Sequence, residues 1–337
     1  MIHEGPRCSF VAEYFDTQAN LARTYLLLFY SADNSIEMYD VKNKRLFLKR
    51  CVYPQLTAKE LYVGGSVTIY SRVLKLVDFG DEVTRRAFTE KQEEVMVIIH
   101  GEGIYRAGEV VQFFSNQEVR TINIRLAEFD DRIAKQLGTS SLRCFVAQLG
   151  GSNLESKAQL LRQRFPGIVS TFLEPADINL IRDLTFSGLH TTATMQNCAV
   201  CVIKPHAIGA GHAGTILQRI LDEGFEVTAM GQFNLTLADS EDFLEVYKGV
   251  VTEYRKVVEH MASAPLWALE VRSDNAVAAL RAVCGPHDPE VCNVLFPHTI
   301  RAAFGIDRVL NAVHCTDLLE DGPLESEFFF SLMASKK

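Results

Sequence analysis

The run Val95-Met-Val-Ile-Ile-His100, followed by Ile104 and Ala107-Gly-Glu-Val-Val-Gln112, returns later in the chain. It comes back as Ala199-Val-Cys-Val-Ile-Lys204, followed by Ile208 and Ala213-Gly-Thr-Ile-Leu-Gln218. In each copy a short apolar run bounded by a polar residue predicts a buried strand, and the segment after it predicts a helix. A period of roughly a hundred residues is too long for a solenoid repeat and means tandem domains. The second copy is complete. Residues 196 to 330 predict strand, helix, strand (225–230), helix (240–248), helix (254–261), strand (266–271), helix (275–284) and a closing loop region. That mixed order, with room for antiparallel pairing, predicts an α+β fold of the ferredoxin-like class.

Upstream of Glu94 the pattern differs. Tyr25-Leu-Leu-Leu-Phe-Tyr30, Ser35 to Val41, Arg45 to Lys49 and a long segment from Ser66 to Phe79 read as strands. The turns between them, Ser31 to Ser35 and Lys42 to Lys44, supply side chains that cap turns or tolerate positive φ. A small antiparallel β domain over 1–90 is expected, followed by units over 91–190 and 196–332.

The chain has 337 residues, 47% of them hydrophobic, enough for several cores. No apolar run approaches the ~20 residues needed to cross a bilayer. Met1 to Glu13 carries charge where a signal peptide needs an apolar segment, so a soluble intracellular chain without a membrane role is expected. Eight cysteines without framework spacing fit reduced thiols. Cys198 and Cys201 have CxxC spacing but lie in a strand-like run, where positions three apart face opposite ways, so neither metal nor redox chemistry is expected of them. Net charge is −8, divided as +1 over residues 1–90 and −9 beyond. An acidic chain with no basic run is not expected to bind nucleic acid.

The richest segment is Pro297-His-Thr-Ile-Arg-Ala-Ala-Phe-Gly-Ile-Asp-Arg-Val-Leu-Asn-Ala-Val-His-Cys-Thr-Asp317. It resembles the nucleoside diphosphate kinase signature, in which a Thr-Ile-Arg approach and an Asn-x-x-His active-site run are joined by a fixed spacer. The resemblance implies transfer of γ-phosphate from ATP to a nucleoside diphosphate through a phosphohistidine, with magnesium carried by the nucleotide. Such chemistry needs a neutral imidazole nitrogen, cations for the phosphate charge and a carboxylate on the other ring nitrogen. By resemblance His314 is the phosphorylated residue, Glu325 its carboxylate and Lys204 the phosphate-reaching lysine. Tyr247, Arg281, Thr299, Arg301 and Asn311 fall on the other nucleotide contacts. Lys204 and Arg301 are expected to matter to rate more than to stability. The family's Lys-Pro-Asp is Lys204-Pro-His206 here, and its threonine after the Gly285 position is His287. The base-stacking phenylalanine has no counterpart except, approximately, Tyr254, so a weaker nucleotide grip is expected.

The first copy has His100-Gly101 where lysine and proline are expected and no Asn-x-x-His, so 91–190 is read as a catalytically dead packing partner. The N-terminal block, through Phe10 to Asp16, Leu27 to Tyr30, Glu37 to Asn43 and Phe47 to Arg50, resembles the DM-ten domain, a PH-like module of ciliary proteins. That resemblance implies a cytoplasmic, cytoskeletal protein of the cilium or flagellum axoneme, or of the centrosome or basal body. Tubulin, doublet microtubule proteins or a γ-tubulin complex are its implied partners, and a structural role without catalysis is the alternative implied by the same layout. Two fused copies could each bury the other's partner surface, which is compatible with a monomer and leaves the oligomeric state open.

Overall fold

The computed structural model describes residues 7–16, 19, 21–56, 61–70, 72–89, 93–117, 119–139, 141–187 and 191–336. The expected boundaries at 90, 91 and 190 fall on residues outside these. Contacts divide the chain into two units, Met1–Gln92 and Glu93–Lys337. In the first unit, β1 (Arg7–Asp16), β2 (Leu21–Tyr30), β3 (Ser35–Asp40), β4 (Arg45–Val52), β5 (Ser66–Ile69) and β6 (Arg72–Phe79) form an antiparallel sheet in the order β4-β3-β2-β1-β6-β5. Phe10, Tyr25, Leu27, Phe29 and Leu74 fill its core.

Two expectations are corrected here. The long strand from Ser66 to Phe79 is a hairpin that turns at Tyr70, whose φ is +54°. The Tyr70 N–H donates to the Tyr53 hydroxyl at 3.0 Å, which helps hold a conformation that a bulky residue seldom adopts. Alternation continues on both sides of the turn and no glycine marks it, so the pattern alone reads as one strand. The domain is also not all β, because α1 (Glu82–Thr89) closes it. The Asp81 carboxylate accepts the Thr84 N–H at 2.7 Å at the start of this helix, and Phe88 packs edge-on against Phe10.

The second unit holds β7 (Glu93–Ile99), α2 (Ala107–Ser115), β8 (Arg120–Glu128), α3 (Asp131–Leu137), β9 (Arg143–Gly151), α4 (Leu154–Arg164), β10 (Val169–Phe172) and α5 (Pro175–Phe186). It continues with β11 (Ala199–Ile203), α6 (Pro205–Gly209), α7 (Ala213–Asp222), β12 (Glu226–Phe233), α8 (Leu237–Phe243), α9 (Tyr254–Met261) and β13 (Leu266–Arg272). Then come α10 (Ala276–Cys284), α11 (Pro289–Leu295), α12 (Ile300–Phe304), β14 (Val313–Cys315), α13 (Asp321–Glu327) and a π-helical turn over Phe328–Met333. The strand order is β10-β7-β9-β8-β12-β13-β11-β14. Numbered within each half, this is 4-1-3-2 followed by 2-3-1-4: two antiparallel ferredoxin-like sheets joined edge to edge. One face carries a single core shared by both halves, including Val97, Phe114, Phe145, Ile203, Leu217 and Trp267.

Where 240–248 is expected as one helix, α8 starts earlier and ends in a 3-10 turn, Glu245–Tyr247. Thr236 and Asp239 cap each other reciprocally, a capping box with aspartate in the third position. The closing region expected as loop contains α11 to α13 and β14. Cys201 sits in the shared core, while burial, with the neighbouring Glu270 adding to it, pushes the Cys198 thiol up to about 12. Among the described residues no cluster of three or more histidine, cysteine or acidic side chains could hold a metal.

The repeated sequence is the surface that joins the halves. Gln112 donates to the Gly211 carbonyl at 3.0 Å and accepts the Thr215 N–H at 3.0 Å. Reciprocally, Gln218 donates to the Tyr105 carbonyl at 2.9 Å and accepts the Glu109 N–H at 3.1 Å. Gly108 and Gly214 let α2 and α7 approach this closely: a Cβ on Gly108 would lie 2.2 Å from the Gln218 nitrogen. Gly108→Val is therefore expected to cost more than the roughly 1–3 kcal/mol of ordinary core overpacking, because backbone cannot move aside as a side chain does. Urea unfolding followed by tryptophan fluorescence would measure it through the buried Trp267.

Candidate active site

β14 is short and pairs with β11, placing His314 opposite Val202. The imidazole is buried against the edges of Phe243 and Tyr247, with ring centroids 5.0 and 6.1 Å away. Its Nε2 lies 2.8 Å from Glu325 Oε1. A carboxylate can only accept, so this contact places the proton on Nε2 and leaves Nδ1 as the basic nitrogen. The Thr316 hydroxyl donates to Glu325 Oε2 at 2.6 Å and accepts the Val200 N–H at 2.8 Å, so the threonine holds the carboxylate in register with β11.

Lys204 and Arg301 are both buried. The Lys204 ammonium donates to Asn311 Oδ1 at 2.7 Å and to the Val309 carbonyl at 3.2 Å. Arg301 donates to the carbonyl of Gly285 at 2.5 Å and to that of Val313 at 3.1 Å. The guanidinium therefore ties α12 to β14 as well as charging the site. The expectation that it matters mainly to rate is revised, since its loss leaves two buried carbonyls without their partner. Arg281 pairs with Asp317, whose other oxygen accepts the Tyr247 hydroxyl at 2.6 Å. Lys204, Tyr247, Arg281, Arg301, Asn311 and His314 all line one cleft of about 620 Å³, within the range of small-ligand sites. Glu325 stands behind His314. Thr299 caps α12 through the Ala302 N–H and is not part of the cleft wall.

Sequence reasoning gave no role to Asp317, Cys315 or Phe296, which also line the cleft. Asp317 lies within the segment that drew attention, and its side chain could have been weighed as a partner for Arg281. Phe296 carried no signal, because α11 was not expected. Tyr254 and His287 also line the cleft. Asn311 donates to the His287 carbonyl at 2.9 Å, so the residue replacing threonine participates through its backbone.

Burial, with Arg301 nearby, pulls the Lys204 pKa down to about 7. An anionic ligand against this nitrogen favours the ammonium form. Above pH 7 the free lysine is mostly neutral, so binding a phosphate group is expected to take up to about one proton and to weaken as pH rises. Calorimetry of ADP binding at pH 8, in buffers of different ionisation enthalpy, would show the uptake as a buffer-dependent heat.

The first half differs at each corresponding place. Register puts Ser170 opposite Ile98 where His314 stands opposite Val202, and His100 follows β7 where Lys204 follows β11. The two form their own contact, His100 Nε2 to Ser170 Oγ at 3.2 Å.

The chain matches two family models: the nucleoside diphosphate kinase 7 N-terminal PH domain over residues 2–90, and nucleoside diphosphate kinase over residues 197–334. It is 34% identical to the rat protein "Nucleoside diphosphate kinase homolog 7", over 98% of this chain and 94% of that protein. The mouse protein of the same name is 35% identical over the same shares. The nucleoside diphosphate kinase of Aquifex aeolicus is 34% identical over 39% of this chain and 91% of its own. A PH-like unit of sheet and closing helix, a ferredoxin-like pair and near end-to-end similarity agree: the chain belongs to the nucleoside diphosphate kinase homolog 7 family.

Proposed function

We propose that the second half of the larger unit transfers γ-phosphate from a nucleoside triphosphate to a nucleoside diphosphate through phospho-His314. The observation carrying this is the His314–Glu325 pair, which leaves a basic Nδ1 beside a cleft bearing Lys204, Arg281 and Arg301. In the first half-reaction the Nδ1 lone pair forms the N–P bond while the bond from phosphorus to the bridging oxygen breaks, releasing the diphosphate with that electron pair. Glu325 stabilises the positive charge growing on the ring, whose Nε2 keeps its proton. A second diphosphate then attacks phosphorus with a terminal oxygen, and the N–P bond returns its electrons to Nδ1. Magnesium fits as a passenger of the nucleotide, because the cleft's acidic side chain, Asp317, is already engaged by Arg281 and Tyr247. Bound there, the ion would neutralise phosphate charge. The three cations favour the anionic phosphates, and Tyr254 and Phe296 add aromatic surface for the base. The test is whether the protein with magnesium and ATP forms an acid-labile phosphoenzyme. Its absence at millimolar ATP overturns the reading.

We propose further a three-part division, with 1–90 as docking module, 91–190 as packing partner without chemistry and 196–332 as the transferase. The Ser170 and His100 substitutions support the middle assignment. A place in the cilium or flagellum axoneme, on tubulin or doublet proteins, or at the centrosome with a γ-tubulin complex, is supported by the resemblance of the N-terminal unit to ciliary modules. Bulk charge would not hold an acidic chain on an acidic partner, so docking would rest on shape, and the +1 segment is the one least opposed. Tagged 1–92 is expected to reach the axoneme and resist detergent extraction in ciliated cells. If only 93–337 does so, the docking assignment fails.

A further inference from the structure

Two residues ahead of His314 in the chain and fully buried, Ala312 has a φ of +68°, and the Val313 N–H donates back to the Asn311 carbonyl at 2.9 Å. This is a γ-turn of the positive-φ kind, which is rare and strained for a residue with a Cβ. Such a conformation costs on the order of 1–3 kcal/mol and persists only where the surroundings over-determine it. Two contacts hold the turn from outside. The Ala312 carbonyl accepts the Lys204 N–H at 2.9 Å, and the Ala312 N–H donates to His206 Nε2 at 3.2 Å.

His206 is where the family pattern has aspartate, and it does not act alone. Its Nδ1 lies 2.9 Å from His260 Nε2, so α6, α9 and the turn are joined through two rings. A backbone N–H can only donate, so His206 Nε2 must be the unprotonated nitrogen. Nδ1 then carries the proton and donates to His260, whose own proton sits on Nδ1. The relay works only while both rings are neutral. Burial keeps them so, helped by Lys204 beside both rings and His212 beside His206; Asp307 and the Leu310 carbonyl act on His206 in the opposite sense.

We propose that His206 and His260 are a positioning pair that holds the Ala312 turn and thereby aims the His314 imidazole into the cleft. This rests on reading His314 as the phosphoacceptor. Neither ring needs to touch nucleotide. His206→Leu removes the acceptor for the Ala312 N–H, whereas His206→Gln offers a side-chain oxygen in place of Nε2.

Single-turnover phosphoenzyme formation from magnesium ATP is the measurement, with ADP affinity measured alongside. A misplacement of about 1 Å is enough to slow a reaction by roughly 100-fold, so His206→Leu should lose about that factor with nucleotide affinity unchanged. His206→Gln should recover to within a few-fold. Equal losses in both variants, or a wild-type rate in His206→Leu, would overturn the proposal. Histidine 15N shifts of the wild-type protein supply a readout independent of folding in the variants: Nε2 of His206 should be unprotonated, and a proton there also overturns it. If wild-type protein forms no phosphoenzyme, the phosphotransfer reading fails while the nitrogen shifts still judge the pair.

Discussion

Wild-type protein mixed with magnesium and γ-labelled ATP is expected to carry label on histidine, stable to base and lost in acid, and His314→Ala is expected to carry none. Removing a catalytic nucleophile elsewhere costs on the order of a million-fold, well below detection in a labelling experiment. Two other titratable groups of the cleft, Lys204 and Tyr247, offer no substitute. Lys204 is engaged by Asn311 and Val309, and burial holds the phenol of Tyr247 in its protonated form, with Glu325's charge adding to the effect. Since His314 is buried between Phe243 and Tyr247 rather than open to solvent, truncation also leaves a cavity, and roughly 1–3 kcal/mol of stability should go with it. Circular dichroism and thermal unfolding separate the two effects. Label persisting on another histidine in a folded variant removes the assignment.

Glu270→Ala is expected to be the most destabilising single change in the larger unit. The carboxylate lies on β13, fully buried, and accepts from the N–H groups of Thr194 at 2.7 Å and Met195 at 2.8 Å. It also accepts from the hydroxyls of Thr194 at 3.0 Å, Ser326 at 2.5 Å and Thr228. It thus ties the segment between the two halves, β12 and α13 to one strand. Removing it leaves these donors buried without an acceptor, and a loss of roughly 3–5 kcal/mol follows from that alone. Burial by itself would raise the carboxyl pKa, but the hydrogen bonds from Ser326, Thr228, Thr194 and Met195 outweigh it and hold the pKa below its usual value. The sign follows: the contribution is present above the ordinary glutamate pKa and is lost as pH falls toward the folded one. The gap in denaturant midpoint between wild type and Glu270→Gln should be narrower at pH 4 than at pH 7 and go on narrowing as pH falls further. If Glu270→Ala unfolds within 1 kcal/mol of wild type at pH 7, its donors have found other partners.

Because Ser326 neighbours Glu325, this carboxylate also braces the helix that presents the partner of His314. Nothing in the sequence around Glu270 announces that role. Its donors lie tens of residues away in both directions, and a lone glutamate in an apolar strand reads as an edge residue or an exception. The His206–His260 contact was hidden for the same reason. The Asn311 to Asp317 run was legible because turn, histidine and hydroxyl are local. The ferredoxin-like order was legible because strand and helix periods alternate cleanly over the second copy. What pattern could not show was the Tyr70 turn, held in part by the hydroxyl of Tyr53 just past β4, or α12, capped by Thr299.

The reciprocal exchange between Gln112 and Gln218 is the bonding pattern of a symmetric dimer, written within one polypeptide. An interface between separate chains loosens on dilution, because its stability depends on protomer concentration. Here association is unimolecular, and the tether sets an effective concentration that no dilution changes. Thermal midpoints of the larger unit should therefore be independent of protein concentration through this surface. Drift becomes asymmetric as well. A substitution in a homodimer strikes both subunits at once, whereas each side of this joint can change alone, so one half can keep Gly108 and Gln112 while its Ser170 stands where the other half keeps a histidine.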